Sequence, residues 1–189
     1  MTPIAIATED LLSEAIALRL ISDIPTPHCI QHALGKRGNG YLRSKMDSWK
    51  TMAQRQVMLV LTDLDRANCL LVFRDQWLTG SVPGNLLFRI AVREIESWVL
   101  ADHIAMRALI GKKGVLPPAP DSLTDPKQSL LQLAKSASKQ VREDLLKTID
   151  GRLMPGLGYN TRLVAWVKSD WAHSVRQNVP LAWLGHACD

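Results

Sequence analysis

Apolar and polar positions along the chain fall into two rhythms. Pro3 to Ala7 (PIAIA) and Val57 to Leu61 (VMLVL) are short unbroken apolar runs. The second is apolar on both faces, as the central strand of a parallel sheet must be. Leu86 to Val92 (LLFRIAV) reads as another strand, and a weaker one is expected around His28 to His32. Between strands the spacing becomes helical. Ala15, Ile16, Leu18 and Leu20 follow Thr8, a candidate cap, and Pro25 and Pro27 close that helix. The glycine-punctuated GKRGNGYL (35–42) is read as a loop entering a basic helix over Leu42 to Ala53. Another helix is expected over Asn68 to Leu78. A long one is expected over Glu94 to Ile110, where Ile95, Trp98, Val99, Met106 and Leu109 form one stripe.

Strands alternating with helices indicate an α/β fold, a mainly parallel sheet flanked by helices. Beyond Gly111 the pattern changes. Val115 to Pro126 is proline-rich, Lys127 to Ile149 reads as one or two basic helices, Met154 to Tyr159 as a turn, and Asn160 to Cys188 as a helical tail. The expected organisation is an α/β core over residues 1–112 and a mostly helical C-terminal extension over 113–189, packed on the core. A chain of 189 residues, 47% apolar, is long enough to bury a core of this kind.

Composition narrows the setting. No apolar run approaches the ~20 residues that span a bilayer. The N-terminus lacks a basic leader and reaches Glu9 and Asp10 at once. Cys29, Cys69 and Cys188 are widely separated and odd in number, so they make neither a disulfide framework nor a zinc set. A soluble, cytoplasmic protein with reduced thiols and no membrane partner is expected. Lys and Arg number 23 against 18 acids, a formal net charge of +5. The excess is local: Lys36, Arg37, Arg43, Lys45, Lys50 and Arg55 are interrupted by one acid, Asp47. Such a stretch suits an anionic partner, and a solvated helix face accounts for it equally well. The six tryptophans read as packing residues, with base stacking open only to an exposed one such as Trp49.

Ligands of parallel α/β sheets gather at the carboxyl ends of the strands. Three of those ends carry acid. Glu9 follows the first strand, Asp63 and Asp65 follow VMLVL, and Glu94 and Glu96 follow LLFRIAV. Clustered carboxylates suit hard divalent cations. Taken singly, each acid could also cap a helix or close a turn. Glu94 and Glu96 are two apart, so one of them is the better ligand candidate. The five histidines share no metal-ligand spacing. Neither a phosphate-binding P-loop nor a G-x-S-x-G elbow is present.

A glutamate after the first strand, D-x-D after a later strand and a further glutamate resemble the TOPRIM (topoisomerase–primase) domain. The whole chain resembles a TOPRIM-like family of bacterial proteins often encoded beside an AAA or SMC-type ATPase. The segments that carry the likeness are IATEDLLSEAIALRLI, GKRGNGYLRSKM, MLVLTDLDRANC, LLFRIAVREIESWVLAD, DPKQSLLQLA and PGLGYNTRL, in order over almost the full length. VLTDLD alone is unspecific; VREIESWVLAD spaced after it is more specific.

The resemblance implies roles by position. Glu9 matches a glutamate acting as general acid/base or as ligand to a second metal. Asp63 and Asp65 match the D-x-D metal pair, and Glu96, with Glu94 as a second candidate, matches the later acid. Many TOPRIM domains have glycine after the first glutamate; Asp10 stands there in this chain. Relatives such as the overcoming-lysogeny-defect nucleases cut nucleic acid with two metals. The implied activity is therefore an Mg²⁺- or Mn²⁺-dependent nuclease with Glu9, Asp63, Asp65 and Glu96 as catalytic residues. Lys36, Arg37, Arg43, Lys45 and Arg93 would hold the phosphate backbone. The implied setting is the toxic effector of a two-component anti-phage system with an ATPase partner. The alternative is a non-catalytic TOPRIM-like module that regulates or docks to that ATPase. DNA or RNA as substrate, and self-association, stay open.

Overall fold

The computed structural model describes residues 1–171 of the 189. His173, Trp183, His186 and Cys188, with the end of the expected helical tail, lie outside them. The described residues form two compact units, 1–91 and 92–171.

The first unit is a four-stranded, all-parallel sheet of β1 (Thr2–Thr8), β2 (His28–Gly35), β3 (Val57–Asp63) and β4 (Leu86–Ala91), in the order β2-β1-β3-β4. The α/β class read from the alternating pattern is the observed one. Between the strands run α1 (Leu11–Ser22), α2 (Gly38–Ser44), α3 (Met46–Ala53) and α4 (Leu70–Trp77). Central strands β1 and β3 are the unbroken apolar runs of the sequence, because both of their faces are covered. Ala5, Ala7, Met58 and Val60 share one core with Leu42, Met46, Trp49, Ala53 and Trp77. Ile4 and Ile6 alternate to the opposite face, and α1 packs against β1 and β3 with Leu12 and Ile16 fully buried.

Two helical expectations are corrected here. Asp10, not Thr8, caps α1: its carboxylate accepts from the Ser13 N–H at 2.8 Å. The basic helix starts earlier than expected and breaks at Lys45 into α2 and α3. Trp49 is buried, so it is no stacking platform. It lies with Met46 and Ala53 on the inward face of α3, and its indole N–H donates to the Leu42 carbonyl at 3.1 Å. Trp49→Phe is therefore expected to lower stability by about 1–2 kcal/mol, by orphaning that carbonyl and leaving a small void. Urea denaturation of the two proteins checks the difference.

The second unit is mostly helical. It holds α5 (Glu96–Ala101), α6 (His103–Ile110), α7 (Pro126–Ala134), α8 (Lys139–Leu145) and α9 (Tyr159–Ser169). Leu130, Leu131, Leu145, Leu163 and Val167 are buried in it. The helix expected over Glu94 to Ile110 is two helices. Asp102 leaves helical geometry, and its carboxylate accepts from the Ala105 N–H to cap α6. The end of the basic stretch is a strand: β5 (Leu146–Ile149) pairs antiparallel with β6 (Arg152–Pro155). Asp150 and Gly151, both at positive φ, turn that hairpin. No helix among the described residues is long and apolar enough to cross a membrane. Cys29 is a free thiol.

Candidate functional site

Strand order places the first group of acids. From β1 the chain crosses to β2 on one side, and from β3 it crosses to β4 on the other. The crevice beyond the carboxyl ends of β1 and β3 is thus the topological switch point, where open α/β sheets bind ligands. Glu9 is the first residue beyond β1, and Asp63 is the last of β3. Thr8 pairs with Leu61 in register, which brings Glu9 level with the two residues that follow. One Glu9 carboxylate oxygen accepts the Asp63 backbone N–H at 2.8 Å and the hydroxyl of buried Thr62. The carboxylate thereby ties the two strand ends together.

Charge accumulates at this point. Burial raises the Glu9 pKa above the usual glutamate range; the Thr62 and Asp63 hydrogen bonds oppose the rise, and the charges of Asp65 and Asp10 add to it. Asp10, where the resemblance leads one to expect glycine, is accounted for as the cap of α1. Asp65 is exposed and sits at φ +51°. Lys36 and Arg93 also occupy the left-handed region, at φ +63° and +62°. Each of these three follows the carboxyl end of a strand, and only Asp150, in the hairpin turn, joins them among the described non-glycine residues. Such backbone costs of order 1–3 kcal/mol each, and it concentrates at functional sites.

Glu9, Asp63 and Asp65 offer only oxygen donors, the type that Mg²⁺ or Mn²⁺ takes in preference to softer ions. Two hydrogen bonds occupy one Glu9 oxygen and leave the other for a ligand. Among the described residues, no three His, Cys, Asp or Glu side chains are grouped closely enough to cage an ion. Mg²⁺ keeps several waters and takes only one or two protein carboxylates. An ion held here would therefore be bound mainly through water, with one or two of these carboxylates.

Glu94 and Glu96 belong to the second unit, where their neighbour is a lysine. Lys127 Nζ lies 3.4 Å from Glu96 and 3.8 Å from Glu94, and the Lys127 N–H donates to Glu94 at 2.9 Å. The Tyr159 hydroxyl donates to Glu96 Oε1 at 2.8 Å. Glu96 is 1% exposed, and its Oε2 is buried with no hydrogen-bond partner among the described residues. Three segments that carry the family resemblance, VREIESWVLAD, DPKQSLLQLA and PGLGYNTRL, thus meet at one buried carboxylate. Sequence reading missed Lys127 and Tyr159. The usable signal was the Asp-Pro-Lys start of α7: Asp125 caps that helix and Pro126 opens it, which fixes where Lys127 begins.

Burial raises the Glu96 pKa; Lys127 and the Tyr159 hydrogen bond oppose this, and Glu94 adds to it. The unfolded chain loses this proton in the usual glutamate range, whereas the folded chain keeps it to higher pH. Between those two pKa values the native state binds more protons, so stability falls as pH rises through the window. Glu96→Gln is expected to reduce that fall. Melting temperatures of the two proteins from pH 4 to 8 check it; the raised Glu9 pKa leaves a residual slope in both.

The basic residues expected to hold phosphate are only partly available. Lys36 ion-pairs with Glu14 at 2.6 Å. Arg37 stacks over the Tyr41 ring at 5.3 Å, and Arg43 reaches the Gln76 carbonyl at 3.5 Å. Lys45 is exposed at the break between α2 and α3. Arg93 lies in the second unit and is half-buried. The structure thus brings Lys36, Arg37, Arg43 and Lys45 onto the α2 region of the first unit. Comparison with family models, curated proteins and solved structures finds no match to this chain.

Proposed function

We propose that the chain is a divalent-metal-dependent nuclease of TOPRIM type that hydrolyses phosphodiesters of DNA or RNA. The observation that carries the reading is the Glu9 carboxylate, tied across the β1–β3 switch point to Thr62 and Asp63, with burial and then the Asp65 charge raising its pKa. Crowded, partly buried carboxylates repel one another, and a cation relieves that repulsion. Asp63 and Asp65 would hold a hydrated Mg²⁺ or Mn²⁺. A bound ion of this kind supplies Lewis-acid polarisation of the phosphodiester and a lowered pKa for water. Glu9, with its raised pKa, is suited to take or give a proton at its open oxygen. Thr62 and the Asp63 N–H fix the rotamer of Glu9, and exposed Lys45 and Arg43 attract the phosphate backbone.

A second reading is a non-catalytic module that docks to an AAA or SMC-type ATPase. It is favoured by one observation: Lys127 already lies within ion-pair distance of both Glu94 and Glu96. The purified chain, incubated with single- and double-stranded DNA and with RNA, separates the two. The nuclease reading expects cleavage in Mg²⁺ or Mn²⁺ and none in EDTA. Intact substrates under all conditions, with the ATPase present as well as absent, would leave the docking reading.

A further inference from the structure

Lys112 and Lys113 stand between two glycines in the loop after α6, and no acid lies between Asp102 and Asp121. The loop is firmly built. Arg107 donates from Nη1 to the Gly111 carbonyl at 3.2 Å and to the Lys113 carbonyl at 2.9 Å, and from Nη2 to the Gly114 carbonyl at 2.8 Å. Gly111 and Gly114 have φ of +84° and +83°, and a side chain at Gly114 would meet Leu133 at 3.1 Å. The Ser136 hydroxyl also donates to the Lys113 carbonyl, so the loop sits against the end of α7, where Lys135 is exposed. Lys112, Lys113 and Lys135 make no ion pair among the described residues, whereas Lys139 pairs with Glu143 and Arg162 with Asp144.

We propose that this loop, with Lys135, is a nucleic-acid backbone contact of the second unit, separate from the Lys36–Lys45 stretch. One guanidinium draws three carbonyls inward, which leaves a surface dominated by cations. A loop held in this way loses little entropy when an anion docks. Three neighbouring lysines without acids repel one another, and a row of phosphates neutralises them. Lysine serves as a point charge without base-reading geometry, so the contact is independent of sequence. The inference rests on the nucleic-acid reading of the previous subsection.

The test is fluorescence anisotropy of labelled single-stranded and duplex oligonucleotides with the full chain in EDTA, so that cleavage plays no part, over a salt series. Replacing all three lysines by alanine should flatten the slope of log affinity against log salt by about 2.1 units on single strands and about 2.7 on duplex. Arg107→Met, with folding checked by circular dichroism, should lower affinity at every salt concentration with little change of slope. Lys139→Ala should leave the slope unchanged. If wild type binds and the triple variant keeps its slope, or if Lys139→Ala flattens it as much per residue, the loop assignment is overturned while the nucleic-acid reading stands. If wild type binds no nucleic acid, that reading fails first and the loop assignment falls with it.

Discussion

Asp63→Ala is expected to cut metal-dependent cleavage by at least about a hundredfold, equivalent to ~2.7 kcal/mol of transition-state stabilisation. The fold should survive. The Asp63 backbone N–H, which Glu9 uses to join β1 to β3, is untouched by the change. Asp63 ends β3 and is not fully buried, so the variant should stay folded in EDTA. The check is a pair of measurements, cleavage rate at saturating Mn²⁺ and melting temperature in EDTA. A variant that cuts at the wild-type rate would remove Asp63 from the reaction. One that unfolds would give it a structural role instead.

Gly35→Ala is the second large effect, and here stability changes most. Gly35 ends β2 at φ +89°, opposite Thr8 at the end of β1. A methyl group there would lie 2.2 Å from the Thr8 carbonyl oxygen and 2.9 Å from its nitrogen, both of them backbone. Neither atom can rotate away. The cost combines left-handed backbone with a steric overlap, about 3 kcal/mol or more in all. Relief would come by moving the end of β1, the segment that presents Glu9. Urea denaturation should therefore show the loss, and any folded fraction should bind Mn²⁺ more weakly than wild type. Unaltered stability would mean that β1 and β2 do not meet as described.

The central strands and the acids at their ends were legible in the sequence because the same physics writes both. A strand covered on two faces must be apolar throughout, so β1 and β3 stand out, and the polar residue that ends each run is the one at the crevice. Asp102 shows the limit. The apolar stripe runs on through α5 and α6, and only the capping hydrogen bond of Asp102 reveals that the helix restarts. β5 was hidden for a similar reason: Leu146 to Ile149 continues the composition of α8, and the turn pair Asp150-Gly151 was its one local mark. Trp49 reads as exposed when the basic residues around it are counted, yet the helical spacing to Met46 and Ala53 turns it inward. The Asp-Pro-Lys start of α7 marks where Lys127 begins, but that it faces Glu96 was not legible. Lys127 is 31 residues away and Tyr159 is 63 away along the chain, and only the packing of the second unit brings them together.

The central claim is that carboxylates at the β1–β3 switch point hold a divalent cation. Calorimetric titration of Mn²⁺ into wild type, Glu9→Gln and Asp63→Asn tests it most directly. Glu9→Gln keeps an oxygen that can accept from Thr62 and Asp63, so it removes charge with little change of geometry. The expected result is saturable binding to wild type and at least about a tenfold weaker affinity in each variant, ~1.4 kcal/mol apiece. Saturable binding of equal strength in all three proteins, or no binding to wild type, would contradict the claim.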